Sequence, residues 1–291
     1  MNIFYLFITI YLVFFLSSFF FSFQYSLALF TMPQPIASFS SNRPIAIFSD
    51  FDGTIFLQDT GHILFDHHGC GPERRAFLDE SISTGENTFR KASLELWQSL
   101  RVPLDTAFAT LKEHLVVDPG FHDFLNNFAF HRRIPFVVIS AGLRPLLRRV
   151  LDESVGKAKL RSIEIVSNDG VISADGANWT PVWLHDTELT HDKARSIREY
   201  RVRHAKANPL IVFIGDGVSD LAGASQADVL FARRGLKLEQ YCIKNRIPYT
   251  PYDSFTDIQR ELEVLVVSNR FHSAAQTPAE AAADGPVKAM L

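Results

Sequence analysis

Two aspartates, Asp50 and Asp52, stand two positions apart at the end of an apolar run, in the segment AIFSDFDGTIF at 46–56. On an extended strand, residues i and i+2 face the same side, so both carboxylates are expected to point into one site. Gly53 lets the chain turn sharply after the pair, and Thr54 can hydrogen-bond locally to hold that turn. A solvated turn at a strand end uses the same residue types, so the pair alone leaves that alternative open.

A second pair of acids follows another apolar run. The segment FIGDGVSD places Asp216 and Asp220 directly after a predicted strand. Four acids at converging strand ends would repel one another unless a hard cation neutralised them. Mg²⁺ suits a site of a few carboxylates that is completed by water and a phosphate oxygen. The two pairs together therefore predict a magnesium site.

Groups that can bind an anion stand between the two acid pairs. Ser140, in VVISAG, precedes a predicted helix start, where a hydroxyl and main-chain N–H groups can hold an anion. Lys193, in THDKARSI, lies early in another predicted helix. A single lysine is usually a solvated surface residue, and Lys157 and Lys159 are alternatives. The position of Lys193 among the strand-end motifs favours it.

Short apolar runs alternate with longer helical patterns between about residues 44 and 267. The predicted strands are 45–50, 136–140, 163–168, 210–216 and 229–232. The predicted helices are 122–132, 144–154, 191–204, 235–245 and 255–267. Several strands are apolar on both faces, as expected for parallel strands that helices cover on two sides. The pattern predicts a doubly wound α/β fold with a mostly parallel sheet.

One stretch interrupts this alternation. Residues 60–116 contain no convincing strand and predict a helical insertion between the first and second strands, and 171–183 predict a small hairpin. In open parallel sheets, ligands bind at the carboxyl ends of the strands. Asp50, Ser140 and Asp216 end three of the predicted strands, so these side chains are expected to meet at one edge.

The segments DFDGT, VISAG, THDK and GDGVSD, in that order, resemble the four motifs of the haloacid dehalogenase (HAD) superfamily. The resemblance spans about residues 46–257. A helical insertion between the first two motifs resembles the type I cap arrangement of phosphoserine phosphatases. The segment GDGVSDLAGASQADVLFARRGLKLEQYCIKNRIPYTPYDSFTDI is similar to the end of the 2,3-diketo-5-methylthio-1-phosphopentane phosphatase-like branch.

The resemblance implies a Mg²⁺-dependent phosphomonoester hydrolase that forms an aspartyl phosphate. Asp50 would be the nucleophile, and Asp52 would act as general acid and then as general base. The metal would be bound by Asp50, by Asp216 and by the main-chain carbonyl of Asp52. Asp220 would support these ligands from behind.

The same resemblance implies a binding site for the phosphoryl group. Ser140, the N–H groups of Ala141 and Gly142, and Thr54 would hold its oxygens, and Lys193 would balance its negative charge.

The substrate implied is a small phosphorylated metabolite, chosen by the cap. Arg90 and Trp97, in GENTFRKASLELW, are expected to line the entrance of the site. Arg90 could pair with a substrate anion, and the alternative is a solvated charge on a helix surface.

Other activities on the same fold leave different sequence signatures. A haloacid dehalogenase needs neither Asp52 nor the metal site at Asp216, which disfavours that activity. A phosphomutase shares the first chemical steps and stays an alternative. A catalytically silent binding module would predict a broken motif, whereas all four motifs are intact.

Composition excludes several classes of protein. The chain has 291 residues and a formal net charge of -3, without a Lys/Arg-rich block that would bind nucleic acid. Only two cysteines, Cys70 and Cys242, occur, which excludes a disulfide framework.

The two ends differ in composition from the domain at 44–267. Residues 1–43 carry no charge before Arg43, and an apolar helix at about 3–23 is long enough to cross a bilayer. Such an anchor would leave the catalytic domain in the cytoplasm by the positive-inside rule. A start at Met32 would instead remove that segment. Residues 268–291 are predicted to be a disordered tail.

Overall fold

The computed structural model describes residues 43–276 and is built on a seven-stranded sheet. The strands lie in the order β4-β3-β2-β1-β5-β6-β7, and only β3 and β4 pair antiparallel. Their bounds are Ile45–Ser49 (β1), Phe136–Leu143 (β2), Ile163–Ile172 (β3), Trp179–Val182 (β4), Leu210–Gly215 (β5), Val229–Arg233 (β6) and Thr250–Tyr252 (β7). The predicted doubly wound α/β fold is confirmed.

Both faces of the central strand are buried, which explains its continuous apolar sequence. Ile45 and Ile47 pack into the core on one face of the sheet, and Ala46 and Phe48 pack into the core on the other. Side chains alternate between faces along a strand, so a strand with helices on both sides must be apolar at every position.

All five predicted strands are present, and two short strands extend the sheet. The hairpin predicted at 171–183 forms from β3 and β4, with Val171 opposite Thr180. Strand β7 was not predicted, because three residues, one of them Pro251, are too few to show a period.

Four helices fill the insertion between β1 and β2 and form the helical cap. They are Thr60–His68 (α1), Gly71–Thr84 (α2), Phe89–Ser99 (α3) and Leu104–His114 (α4). Side-chain caps begin two of them, since Asp59 accepts from the His62 N–H and Thr88 from the Lys91 N–H. The cap was predicted at about 60–116, in agreement with these bounds.

The remaining helices cover the two faces of the sheet. Their bounds are Phe121–Asp123 (α5), which continues as the π-helical segment Phe124–Phe130, then Arg144–Val155 (α6), Lys157–Leu160 (α7), Lys193–Arg203 (α8), Leu221–Ala224 (α9), Lys237–Asn245 (α10) and Phe255–Gln276 (α11). A short 3₁₀ turn, Val218–Asp220, precedes α9. Cys70 and Cys242 are free thiols.

Helix α11 runs to Gln276, beyond its predicted end at 267. Residues 277–291 of the predicted tail lie outside the described residues. Within 43–276, no helix is long and apolar enough to cross a membrane. The apolar segment at 3–23 and the alternative start at Met32 lie outside the described residues.

Candidate active site

Asp50 lies at the carboxyl end of β1, between a main-chain donor and a buried cation. Its Oδ1 accepts a 2.7 Å hydrogen bond from the Phe51 N–H, and its Oδ2 lies 2.9 Å from Lys193 Nζ. Burial, and after it the Asp220 carboxylate, raises the pKa of Asp50 well above its usual value. These two contacts orient the carboxyl group, and one of them is to a cation, Lys193.

Asp220 links that lysine to the chain after β5. Its Oδ1 lies 2.7 Å from Lys193 Nζ, and its Oδ2 accepts 2.9 Å hydrogen bonds from the N–H groups of Asp216 and Gly217. Burial alone would lower the pKa of Lys193, but Asp220 and Asp50 raise it above its ordinary value. Lys193 is therefore a fixed positive charge, and Asp220 holds the backbone that carries Asp216.

A tight turn brings the first motif against Asp216. Gly53 has a φ of 72°, and a Cβ at this position would lie 2.3 Å from Asp216 Oδ2. The Thr54 hydroxyl donates to Asp216 Oδ1 over 2.8 Å. Only glycine fits both the left-handed backbone and the close approach. The turn therefore fixes the orientation of the Asp216 carboxylate.

Thr54, which was expected to hold a phosphoryl oxygen, has a completely buried side chain and is not among the residues that line the cavity described below. Its hydroxyl donates a hydrogen bond to Asp216 Oδ1. Its role in binding the phosphoryl group stays a prediction.

Asp52 faces the same side of the chain as Asp50, as the i, i+2 spacing predicts. Its Oδ1 accepts a 2.8 Å hydrogen bond from the Thr60 N–H at the start of α1. Burial, and then the neighbouring Asp59, raises the pKa of Asp52 well above its usual value. A raised pKa suits a carboxyl group that must hold a proton before it gives it away.

The VISAG motif closes another side of the site. Ser140 Oγ accepts a 3.0 Å hydrogen bond from the Gly142 N–H, and its carbonyl accepts a 2.7 Å hydrogen bond from His191 Nδ1. A Cβ on Gly142 would lie 3.7 Å from Asp52 Oδ2, so this backbone borders the acid. In this structure the Gly142 N–H is directed at Ser140 Oγ.

The residues present fit a hard divalent cation. Carboxylate oxygens of Asp50, Asp216 and Asp220 lie within 4.8 Å of one another. Burial, and then the Asp220 carboxylate, raises the pKa of Asp216 to about 7, against the lowering effects of Thr54, Lys193 and Arg233. Oxygen-only donors with excess negative charge are the chemistry that Mg²⁺ prefers.

A cavity of about 220 Å³ lies between these residues and the cap. The sheet side of its wall includes Asp50, Asp52, Ser140, Ala141, Gly142, Asp216, Gly217 and Ser219. The cap side includes Asp59, Thr60, Gly61, His62, Phe65, Asp79, Ile82, Phe89, Ser93, Leu96 and Trp97. Asp50, Ser140 and Asp216 therefore lie together at one edge of the sheet, as predicted, and helices α1, α2 and α3 cover them.

The two cap residues expected at the entrance have different positions. Trp97 lines the cavity and packs edge-on against Phe65, with ring centroids 4.9 Å apart. Arg90 is not among the lining residues. Its Nη1 lies 2.7 Å from Asp186 Oδ1 and so pairs with the loop after β4. The structure thus brings Trp97, but not Arg90, to the site.

Sequence reasoning missed a buried ion pair beneath the site. Arg233 Nη2 lies 2.7 Å from Asp118 Oδ2 and also donates to the Thr54 carbonyl over 2.8 Å. Arg233 is the last residue of β6, so the rule that carboxyl ends of strands carry function could have found it. No local signal marked Asp118.

Comparison with known proteins gives the family. The model of the haloacid dehalogenase-like hydrolases matches residues 47–225. Pdp3-interacting factor 1 of Schizosaccharomyces pombe is 36% identical over 221 residues, which are 76% of this chain and 96% of that protein. Polyol phosphate phosphatase PYP1 of Saccharomyces cerevisiae is 33% identical over 228 residues, 76% of this chain and 94% of that protein.

The branch suggested by the sequence also appears among the relatives. The 2-hydroxy-3-keto-5-methylthiopentenyl-1-phosphate phosphatase of Bacillus cereus is 30% identical over 218 residues, 75% of this chain and 95% of that protein. A solved phosphoserine phosphatase with a phospho-aspartyl intermediate analogue matches the fold with a TM-score of 0.54 at 14% identity, over 73% of this chain and 95% of that one. The chain therefore belongs to the haloacid dehalogenase-like hydrolases and is a phosphatase.

Proposed function

We propose that this phosphatase is a Mg²⁺-dependent hydrolase of phosphomonoesters that works through an aspartyl phosphate on Asp50. One observation carries the proposal: Asp50 and Asp52 line the same cavity, and each is oriented by a main-chain N–H. Two oriented carboxyl groups on one cavity supply a nucleophile and a separate proton donor.

In the first half-reaction, a carboxylate oxygen of Asp50 attacks phosphorus and the bond from phosphorus to the alcohol oxygen breaks. Asp52, whose pKa is raised by burial and then by Asp59, gives its proton to the departing oxygen. The leaving group departs as a neutral alcohol, which lowers the barrier for alkyl esters.

In the second half-reaction, water attacks the phosphorus of the aspartyl phosphate. Asp52, now ionised, takes a proton from that water, and the bond between phosphorus and the Asp50 oxygen breaks. Inorganic phosphate leaves, and Asp50 returns as a carboxylate. The proton balance closes because Asp52 gives one proton in the first step and takes one in the second.

Negative charge on the phosphoryl group requires positive partners. Asp50 and Asp216, with the main-chain carbonyl of Asp52, would hold Mg²⁺, which supplies charge neutralisation at the phosphoryl oxygens. Lys193, fixed between Asp50 and Asp220, adds a positive charge behind the nucleophile. Ser140 and the backbone at Ala141 border the same cavity and supply hydrogen bonds.

The substrate class proposed is a small phosphorylated alcohol. The relative from Saccharomyces cerevisiae is a polyol phosphate phosphatase, and its match extends over 76% of this chain. A cavity of about 220 Å³ suits a small metabolite.

The test uses the purified full chain, a panel of phosphometabolites and p-nitrophenyl phosphate, with Mg²⁺ or with EDTA. Release of inorganic phosphate only with Mg²⁺, and an acid-stable ³²P label lost in Asp50→Asn, are expected. Phosphate release by Asp50→Asn at the wild-type rate would contradict the proposal. A phosphomutase would return the phosphoryl group to the organic product and release no inorganic phosphate.

A further inference from the structure

The cap side of the cavity wall carries negative charge and no strong cation. Asp59 and Asp79 line it, and among the side chains described on this wall none is Lys or Arg. Within residues 43–276, His62 is the only basic side chain that lines the cavity. Its Nε2 lies 3.5 Å from Asp79 Oδ2, so Asp79 offsets any positive charge on that ring.

A chain of ion pairs holds Asp79 in place from outside the cavity. Arg75 Nη1 lies 3.1 Å from Asp79 Oδ2, and its Nε lies 2.7 Å from Asp66 Oδ1. Arg75 itself does not line the cavity, and Asp66 does not either. The arginine therefore fixes the Asp79 carboxylate, and because Arg75 is shared by Asp66 and Asp79, the three groups together keep one net negative charge.

The rest of the cap wall is apolar or neutral. Phe65, Ile82, Phe89, Leu96 and Trp97 provide its hydrophobic surface. A second anionic group on a substrate would meet carboxylates and hydrocarbon there and would lose its hydration without gaining a cation. A hydroxyl group would find carboxylate and imidazole acceptors.

On the basis of the proposed function, we infer that Asp79, together with His62, selects phosphomonoesters whose alcohol part bears hydroxyl groups and no second anion. Asp79 contributes in two ways, by accepting a hydrogen bond from a substrate hydroxyl and by repelling a carboxylate. Both effects act on the alcohol part of the substrate, because Asp79 belongs to the cap and the phosphoryl-binding groups belong to the sheet.

The experiment compares substrate pairs that differ only in a hydroxymethyl group and a carboxylate. The three-carbon pair is glycerol 3-phosphate and 3-phosphoglycerate, and the six-carbon pair is glucitol 6-phosphate and 6-phosphogluconate. The ratio of kcat/KM within each pair cancels any general loss of activity. Two chain lengths are used so that one pair places its distinguishing group near Asp79.

In the wild type, kcat/KM for the hydroxymethyl member of at least one pair should exceed that for the carboxylate member by about tenfold or more. Such a ratio is typical of one charge repulsion in a partly solvated site. Asp79→Asn, which keeps the shape and removes the charge, should reduce that ratio severalfold. Asp79→Lys should reduce it further and favour the carboxylate. Glu95→Gln is the matched control, since Glu95 is a cap carboxylate that pairs with Arg74 and lies outside the cavity, and its ratio should equal that of the wild type.

Equal kcat/KM for both members of both pairs in the wild type would overturn the inference, as would equal shifts of the ratio in Asp79→Asn and Glu95→Gln. Hydrolysis of p-nitrophenyl phosphate by the wild type distinguishes a wrong inference about Asp79 from a wrong proposed function. If even that ester is not hydrolysed with Mg²⁺, the proposed function is wrong and the inference falls with it.

Discussion

Arg233 and Asp118 form an ion pair, with Nη2 2.7 Å from Oδ2, at the place where the chain enters and leaves the cap. Arg233 also donates to the Thr54 carbonyl on the entering segment, whereas Asp118 lies on the returning segment. Asp118 is completely buried and Arg233 nearly so. The pair therefore ties both connections of the cap to the end of β6.

Removal of this arginine should destabilise the fold strongly. Arg233→Ala leaves Asp118 buried without its cation, and breaking a buried pair in this way costs about 3–5 kcal/mol. Urea unfolding of the variant and the wild type measures the loss. The double variant Arg233→Ala/Asp118→Asn should recover part of the free energy of unfolding. A double variant that is less stable than Arg233→Ala alone would contradict the role given to the pair.

A methyl group at Gly53 should abolish most activity with little loss of stability. The Cβ of Gly53→Ala would lie 2.3 Å from Asp216 Oδ2, so the carboxylate must move. Gly235→Ala is the matched control, because Gly235 also has a positive φ, 78°, but a Cβ there meets nothing within 4 Å.

Both glycine variants should lose about 1 kcal/mol of stability from backbone strain. Only Gly53→Ala should lose phosphatase activity, and its remaining activity should need a higher Mg²⁺ concentration for half-saturation. The activity of both variants is measured by steady-state kinetics across a Mg²⁺ titration, and their stability is measured by thermal unfolding. Equal activity of the two variants would show that Asp216 need not hold its observed position.

The two motif aspartates should fail in different ways. Asp50→Asn removes the proposed nucleophile, so no phosphoenzyme should form with any ester. Asp52→Asn keeps that nucleophile but loses the proposed proton donor, whose help is worth about 10²- to 10⁴-fold in rate. Its first half-reaction should therefore suffer greatly with an alkyl phosphate and much less with p-nitrophenyl phosphate, whose leaving group needs no proton.

Rapid-quench measurement of phosphoenzyme formation with both esters tests this difference. The aspartyl phosphate of Asp52→Asn should also persist, because no base activates water. If Asp52→Asn loses phosphoenzyme formation equally with both leaving groups, the assignment of acid and nucleophile is wrong.

His191 should make the fold sensitive to acid. Its Nδ1 donates to the Ser140 carbonyl over 2.7 Å and its Nε2 accepts from Ser196 Oγ over 2.9 Å. Burial lowers the pKa of His191 to about 3, below the ordinary value of 6.5. Below about pH 6.5, the ring therefore binds a proton in the unfolded chain but not in the folded chain. The free energy of unfolding falls as the pH drops through this range.

The loss from this one group should reach about 2 kcal/mol by pH 5. Urea unfolding at pH values from 7.5 to 5 measures the free energy of unfolding of the wild type and of His191→Gln. The difference between the two free energies should shrink by this amount as the pH falls. His131→Gln, at an exposed histidine, should follow the wild type in parallel. A gap that stays constant for His191→Gln would show that the ring is protonated in the folded state.

Local pattern was enough to predict much of the fold. The runs that became β1, β2, β5 and β6 are mainly apolar on both faces, and this property belongs to the strand itself and does not depend on its neighbours. Strand β7, with three residues, carried too short a pattern. The end of α11 was placed too early because an amphipathic period fades before a helix ends.

The sequence by itself determined the candidate motifs and their meeting place, since the spacing of Asp50 and Asp52 and the parallel order of the strands bring the motifs to one edge. Only the tertiary structure decided which side chains the cap adds. Asp79 enters the cavity and Arg90 does not, because helix packing sets which face of each cap helix turns inwards. The hydroxyl of Thr54 likewise donates a hydrogen bond to Asp216, which lies 162 positions further along the chain. Contacts between distant segments depend on the packed whole, and no local period encodes them.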